Sequence, residues 1–320
     1  MNVLVTGASG FIGRQLLEKL DSPLVKALGR DLPTDFPSSR FYQYNIDSMT
    51  DYSEALCDVD IVVHLAARVH IMNDDAIEPL EEYREVNTYG TTNLAKQAAM
   101  SGVKRFIFVS SIKVNGESTD LGRPFFHDDE PLPQDFYGQS KAEAESELFK
   151  LSKETGLEIV VIRPTLVYGP GVKANFASLM SLVKKGVPLP FGCINTNKRS
   201  LVSVFNLVDL IVTCLEHPKA ANKVFLVSDD NDLSTSEMVS EMALALGKCT
   251  WQLPIPAFCY KLIGTIFNKS DMVDRLLGSL QVDITHTKQV LDWEPPQSLR
   301  SGFLQTANAF LKSNKDSGNL

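Results

Sequence analysis

Tyr137 and Lys141 stand four residues apart in Tyr137-Gly138-Gln139-Ser140-Lys141. On a helix, that spacing stacks the two side chains on a single face. A phenol titrates near 10 and is a poor base at neutral pH. An ammonium ~4 Å away contributes on the order of 4 kcal/mol of attraction at a protein-like dielectric, before desolvation takes part of it back. The pair is therefore expected to lower the tyrosine pKa toward the range where a proton acceptor works. Alone, the same spacing also describes an exposed helical contact without chemistry. The surrounding residues favour chemistry because they supply a cofactor site.

That site begins at the N-terminus. Val3-Leu4-Val5 is a short apolar run closed by Gly7-Ala8-Ser9-Gly10-Phe11-Ile12-Gly13. A helical pattern follows, with Phe11, Leu16, Leu17 and Leu20 as its apolar positions. Strand, glycine turn and helix in this order are the context of a dinucleotide site. Gly7 and Gly10 would let the backbone approach a pyrophosphate, whose charge the helix N-terminus would meet. The second strand, Leu24 to Leu28, runs into Gly29-Arg30. NAD sites usually carry an acidic residue there for the ribose 2′-hydroxyl. A guanidinium suits a 2′-phosphate instead, so the sequence leans to NADP, while Asp31 keeps NAD open.

Asp60 to Leu65 reads as the third strand, ending in His64-Leu65-Ala66-Ala67. Its small residues permit close approach of a cofactor, and His64 is expected to be packed rather than catalytic. A long helix over about 80 to 101 carries Asn87 and is capped by Gly102. Arg105 to Val109 then runs into Ser110-Ser111, at the end of a buried strand where parallel sheets place their chemistry. The Tyr137 helix ends at Gly156, and the strand Leu157 to Ile162 stops at Arg163-Pro164. After Tyr168-Gly169-Pro170-Gly171 the alternation loosens. Leu201 to Phe205 and Lys223 to Val227 read as strands with a helix between them, and the chain beyond Asp229 as mostly helical. The expected fold class is α/β, a Rossmann-type doubly wound parallel sheet. It would occupy 1–168 and regain about 201–228, while 169–200 and 229–320 form a smaller, mostly helical substrate domain. The tail from Ser313 is expected to fray.

Composition narrows the functions available. The 320 residues are 44% hydrophobic and 22% charged, as in ordinary soluble domains, and carry a formal net charge of −8. That balance argues against nucleic acid or an anionic membrane as partner, and an anionic substrate would need a local positive cluster. The five cysteines (Cys57, Cys193, Cys214, Cys249, Cys259) include no CxxC unit, and the five histidines lack metal-ligand spacing. Neither a disulfide framework nor a metal site is expected, and a cytoplasmic location fits. No signal peptide or membrane span is expected.

Together these motifs make the chain resemble the extended short-chain dehydrogenase/reductases, in the nucleotide-sugar epimerase/dehydratase group. The resemblance rests on GASGFIG near the start, HLAA at 64–67, VSS at 109–111, YGQSK at 137–141 and IRPTLVYGPG at 162–171. It implies Ser111, Tyr137 and Lys141 as the catalytic triad. Tyr137 would exchange a proton with a sugar hydroxyl, Ser111 would hold the same oxygen, and Lys141 would lower the tyrosine pKa and hold the nicotinamide ribose. The cofactor contacts it implies begin with Gly7, Gly10, Phe11, Ile12 and Gly13 in the turn. Arg30, Asn45 and Ile46 follow beyond the next strands, then Leu65, Ala66, Ala67 and Asn87. Val109, Tyr137, Lys141 and Pro164 complete the set.

For substrate, the resemblance implies a UDP-sugar, with Asn175 and Arg199 on the nucleotide diphosphate. Lys113, Lys173 and Arg275 are further candidates, and Arg68 and His70 could line the sugar pocket. The 4,6-dehydratases of the group place Asp-Glu after the serine, where this chain has Ile112 and Lys113, so dehydration is not expected. A UDP-hexose 4-epimerase and an NADPH-dependent 4-keto-sugar reductase remain, with a non-catalytic NADP-binding protein behind them. The sugar is open, since Leu166 stands where many relatives carry an asparagine. The resemblance also implies a role in polysaccharide biosynthesis, and a homodimer pairing through the helices around 80–101 and 138–155.

Overall fold

The computed structural model describes residues 1–69, 78–172, 174–267 and 270–316. Strand β1 (Val3–Thr6) is buried along its length and turns through glycine into helix α1 (Phe11–Leu20). β2 (Val25–Gly29), β3 (Phe41–Gln43), α2 (Ser53–Leu56) and β4 (Ile61–His64) follow. Next come α3 (Pro79–Arg84), a π-helical turn over Glu85–Gly90, α4 (Thr91–Met100) and β5 (Arg105–Val109). α5 (Phe136–Thr155) starts on its Asp135 cap, stops at Gly156 with a left-handed φ of 78°, and leads into β6 (Glu158–Pro164). β7 (Leu166–Tyr168), α6 (Ala174–Lys185), β8 (Leu201–Ser203), α7 (Val204–Glu216) and β9 (Lys223–Val227) continue the chain. The last third holds α8 (Thr235–Ala245), α9 (Ala257–Ile266), α10 (Ser270–Leu277), α11 (Thr285–Leu291) and α12 (Leu299–Asp316).

Seven strands pair in the order β3-β2-β1-β4-β5-β6-β9, every pair parallel. All their C-terminal ends therefore lie on one edge, and the order reverses between β1 and β4, where α/β sheets open a crevice for ligands. Alternate residues of each strand feed opposite layers. Val3, Val5, Ile107 and Val160 pack with Leu16 of α1 and Leu207 of α7. Leu4, Val62, Phe106 and Val161 pack with Leu94 of α4 and Leu148 of α5. Each such buried side chain contributes about 1.5–3 kcal/mol. A separate apolar cluster joins Tyr168, Phe176, Met180, Leu201, Val239 and Phe303 beside the sheet.

The expected α/β class is what the fold shows, with three local departures. The helix over 80–101 is split by the π-helical turn that bears Asn87. Leu201–Ser203 is a strand, but it pairs with β7 in a two-stranded sheet of its own. It ends before Phe205 because the Ser203 hydroxyl accepts from the Phe205 N–H and starts α7. α12 stays helical to Asp316, past the expected start of fraying at Ser313; residues 317–320 lie outside the described set.

Candidate active site

The glycine turn sits at the switch point between β1 and β4. Gly7 has a φ of 67°, and a β-carbon there would lie 2.7 Å from the Ala66 nitrogen. One on Gly13 would lie 2.4 Å from the Gly7 carbonyl. The close approach at Gly7 is therefore to the Leu65-Ala66 backbone. Thr6 fixes that loop, its hydroxyl accepting from the Ala66 N–H at 3.2 Å and meeting His64 Nδ1 at 2.8 Å. His64 Nε2 lies 2.9 Å from the Thr91 hydroxyl. Burial, with the Lys141 charge second, pushes the His64 pKa down to about 3, so it is packed and neutral as expected.

No side chain caps α1 at Gly10, and no acidic residue stands in its first turn. The helix thus presents its N–H groups and positive end to the crevice, which fits a dinucleotide diphosphate. Phe11 and Ile12 turn their side chains into the core, leaving their backbone for such a contact. Arg30 is exposed just past β2, and Asn45 lies beyond β3, its carbonyl accepting from the Tyr52 hydroxyl at 3.0 Å. Ile46 is buried against the spot where Gly90 lacks a side chain. Pro164 closes β6 on the same edge.

Asn87 is engaged within the protein. Its Oδ1 accepts from the Arg68 N–H at 2.8 Å, while Nδ2 donates to the Arg68 carbonyl and to Ser140 Oγ, both at 3.0 Å. It is fully buried and clamps the loop after β4 to α5. The Arg68 guanidinium lies 5.5 Å from the Tyr83 ring centre, and that ring meets Tyr137 edge-on at 6.4 Å.

Ser111, Tyr137 and Lys141 converge beyond β5. Ser111 caps a short 3-10 turn, accepting from the Lys113 N–H at 3.2 Å. Gly138 lets α5 abut that turn, since a β-carbon on it would lie 2.6 Å from the Lys113 carbonyl. The contact brings Ser111 into hydrogen-bonding reach of the phenol, which favours the ionised form. Lys141 is fully buried, donates to the Val109 carbonyl at 3.0 Å and sits 4.3 Å from the Phe108 ring centre.

The electrostatics correct one expectation. Burial raises the Tyr137 pKa, the nearby Asp135 carboxylate adds to the rise, and the Ser111 hydrogen bond opposes both. Burial also lowers Lys141 to about 7, against an upward pull from Glu145 one turn along. Lys141 does not acidify the phenol here. Desolvation outweighs the attraction and drives both groups toward their neutral forms.

The expected substrate cations gather around one carboxylate. Lys113 Nζ donates to Glu117 at 2.9 Å and also to Asp135, and Arg275 Nε donates to the other Glu117 oxygen at 3.2 Å. Burial and the Arg275 charge lower the Arg199 pKa, opposed by Glu117. The Arg199 guanidinium donates to the carbonyls of Arg275 and Gly278 at 2.9 and 3.3 Å. Arg199, Arg275 and Lys113 therefore lie near one another, with Glu117 and Asp135 set against two of the three charges. His70 and Lys173 lie outside the described residues, as does the side chain of Asn175. A groove bounded by Asp230, Lys288 and Glu294 holds none of these residues.

One network has no counterpart in the sequence expectations. Ser110 Oγ donates to Glu145 at 2.5 Å, Glu145 pairs with Arg163 at 2.5 Å, and Arg163 reaches Asn115 at 2.9 Å. An arginine closing an apolar strand was the available signal, because a charge buried there requires a partner.

Comparison with known proteins agrees with this geometry. Residues 3–228 match the model of the NAD dependent epimerase/dehydratase family. A UDP-glucose 4-epimerase of Vibrio cholerae is 59% identical over 316 residues, covering 98% of this chain and 96% of that one. An N-acetyl-α-D-glucosaminyl-diphospho-ditrans,octacis-undecaprenol 4-epimerase of Escherichia coli O157:H7 is 30% identical, covering 98% and 97%. The fold is that of the UDP-glucuronic acid 4-epimerase from Bacillus cereus in complex with NAD, with a TM-score of 0.77 at 23% identity over 98% and 99% of the two chains. With sequence, fold and site in accord over nearly the full length, this chain is a member of the NAD dependent epimerase/dehydratase family.

Proposed function

We propose that this chain is an NAD-dependent UDP-hexose 4-epimerase. The observation that carries the reading is Tyr137, half-buried beside Ser111 on the strand-end edge that also bears the glycine cradle. The relative that is 59% identical supports the reaction. Tyr137 Oη, in its ionised form, would take the proton of the sugar 4-hydroxyl and return it after the opposite face is presented; the Ser111 hydrogen bond favours that form, and the positive charge of a bound nicotinamide would favour it too. Ser111 would hold the same oxygen, and Lys141, anchored on Val109, would hold the nicotinamide ribose. When bound, the nicotinamide supplies a hydride acceptor that becomes the donor. Arg199, Arg275 and Lys113 would hold the diphosphate.

Epimerisation ends with the cofactor in its starting state, so it needs no dissociable reductant. That favours NAD over the NADP suggested by Gly29-Arg30, a suggestion with no support in the family's description. Product NMR with UDP-glucose and UDP-N-acetylglucosamine tests the reaction. A 4-keto reductase would instead consume NADPH in proportion to product at 340 nm, and a non-catalytic binding protein would give neither signal. Residues 1–168 with 201–228 as cofactor domain, a cytoplasmic homodimer through α3 to α5, and a place in polysaccharide biosynthesis complete the reading.

A second reading keeps the reaction and changes the carrier. The E. coli relative's name places its hexose on a diphosphate joined to undecaprenol rather than uridine. Exposed apolar side chains on α9, which packs on the helix bearing Arg275, favour that carrier for this chain too. Turnover of a polyprenyl-diphosphate-linked N-acetylhexosamine tests it.

A further inference from the structure

Helix α9 is apolar on the outside. Phe258, Leu262, Ile263, Ile266 and the following Phe267 are each more than half exposed, from 53% for Ile263 to 68% for Phe258. Phe258, Leu262 and Ile266 recur every four residues and line one side of the helix, with Ile263 and Phe267 beside them. Residues 257–267 contain one charge, Lys261. A surface helix in a soluble domain turns such a stripe inward. α9 instead packs chiefly on α10, and within it only Gly264 is buried. Trp251, 73% exposed, stands in the stretch leading into the helix. Apolar surface of this kind marks a place where something else sits.

Several observations select the occupant. α10 carries Arg275, which Glu117 and Arg199 contact, so the apolar helix packs on the helix that supplies one of the residues proposed for the diphosphate. The net charge of −8 and the single lysine rule out adsorption by charge, leaving burial of apolar surface as the driving force. Ten residues of helix extend about 15 Å, too short to cross a bilayer but suited to lying in its surface. Lys261 flanks the stripe and can keep its ammonium in water along an apolar stem. α4 and α5, two of the helices proposed for self-association, pack in a layer whose apolar cluster contains no residue of α9.

We propose that α9 lies in the apolar surface of a bilayer and holds the site where a hexose on a polyprenyl diphosphate is presented. The proposal rests on the 4-epimerase reading for the reaction and on its polyprenyl form for the carrier, and adds the surface through which the enzyme reaches it.

Flotation of the full chain with neutral phosphatidylcholine vesicles, at low and high salt, tests this. Wild type is expected to float at both salt levels. Leu262→Asp/Ile266→Asp is expected to lose about tenfold or more of the bound fraction, with UDP-hexose epimerisation and circular dichroism unchanged. On vesicles that carry a polyprenyl-diphosphate N-acetylhexosamine, the double variant should turn over at least about tenfold more slowly than wild type. Wild type left at the bottom of the gradient overturns the proposal, as does equal flotation of the variant. A wild-type dimer that the variant dissociates, without flotation of either, overturns it in favour of a second copy as occupant. Flotation without turnover of either hexose overturns the 4-epimerase reading alone.

Discussion

Arg163 holds both carboxylate oxygens of Glu145 inside the protein, its Nε 3.0 and 3.2 Å from them. The pair joins the end of β6 to the helix of Tyr137 and Lys141, and through Ser110 to the end of β5. Glu145→Gln leaves a buried guanidinium under-compensated and is expected to cost about 3–5 kcal/mol of stability. A joint replacement, Glu145→Leu with Arg163→Met, should cost less than either single change, because apolar groups of similar size can stand in for a buried pair. Urea unfolding of the three variants checks the order.

Tyr137→Phe removes the oxygen that moves the proton and little else. Turnover should fall by about 10² or more, with cofactor content unchanged, when product NMR and released nucleotide are measured together. Near-normal turnover would remove the proposed chemistry.

Lys141 makes stability depend on pH in a definite direction. Its folded pKa of about 7 lies below the ordinary lysine value, so the unfolded chain binds more protons between the two. The penalty for burying it is fully present below the folded pKa and fades as pH rises toward the unfolded one. Lys141→Met should therefore raise the melting temperature more at pH 6 than at pH 9, with a gain on the order of a few kcal/mol at the lower pH. An equal gain at both would show that the lysine is not desolvated.

Gly13→Ala places a methyl 2.4 Å from the Gly7 carbonyl, within the cofactor turn. The strain is expected to cost about 1–3 kcal/mol, and NAD affinity should drop with it, as titration would show.

Much of this architecture was legible in the chain. Val3-Leu4-Val5 and Arg105 to Val109 are continuous apolar runs with chemistry-bearing residues at their ends, and such runs have few alternatives to a buried parallel strand. β3 was not legible, since Phe41-Tyr42-Gln43 is too short to show a period. Nor was the partner of Leu201–Ser203, which depends on where β7 runs. The type and spacing of Tyr137 and Lys141 pointed to the candidate site, but their pKa directions follow from burial, which the tertiary fold alone decides. For Asn87, sequence could identify the residue but not show its amide spent on the Arg68 backbone.

Glu117 already satisfies Lys113 and Arg275, two of the cations proposed for the diphosphate. An incoming anion therefore meets an internal rival and has to outbid a carboxylate that is tethered in place. Two phosphates can do so where one is outmatched, so the latch filters for ligands with two phosphate groups before any sugar is inspected. Glu117→Gln should tighten UMP binding more than UDP binding, and calorimetry showing the reverse would dismiss that filter.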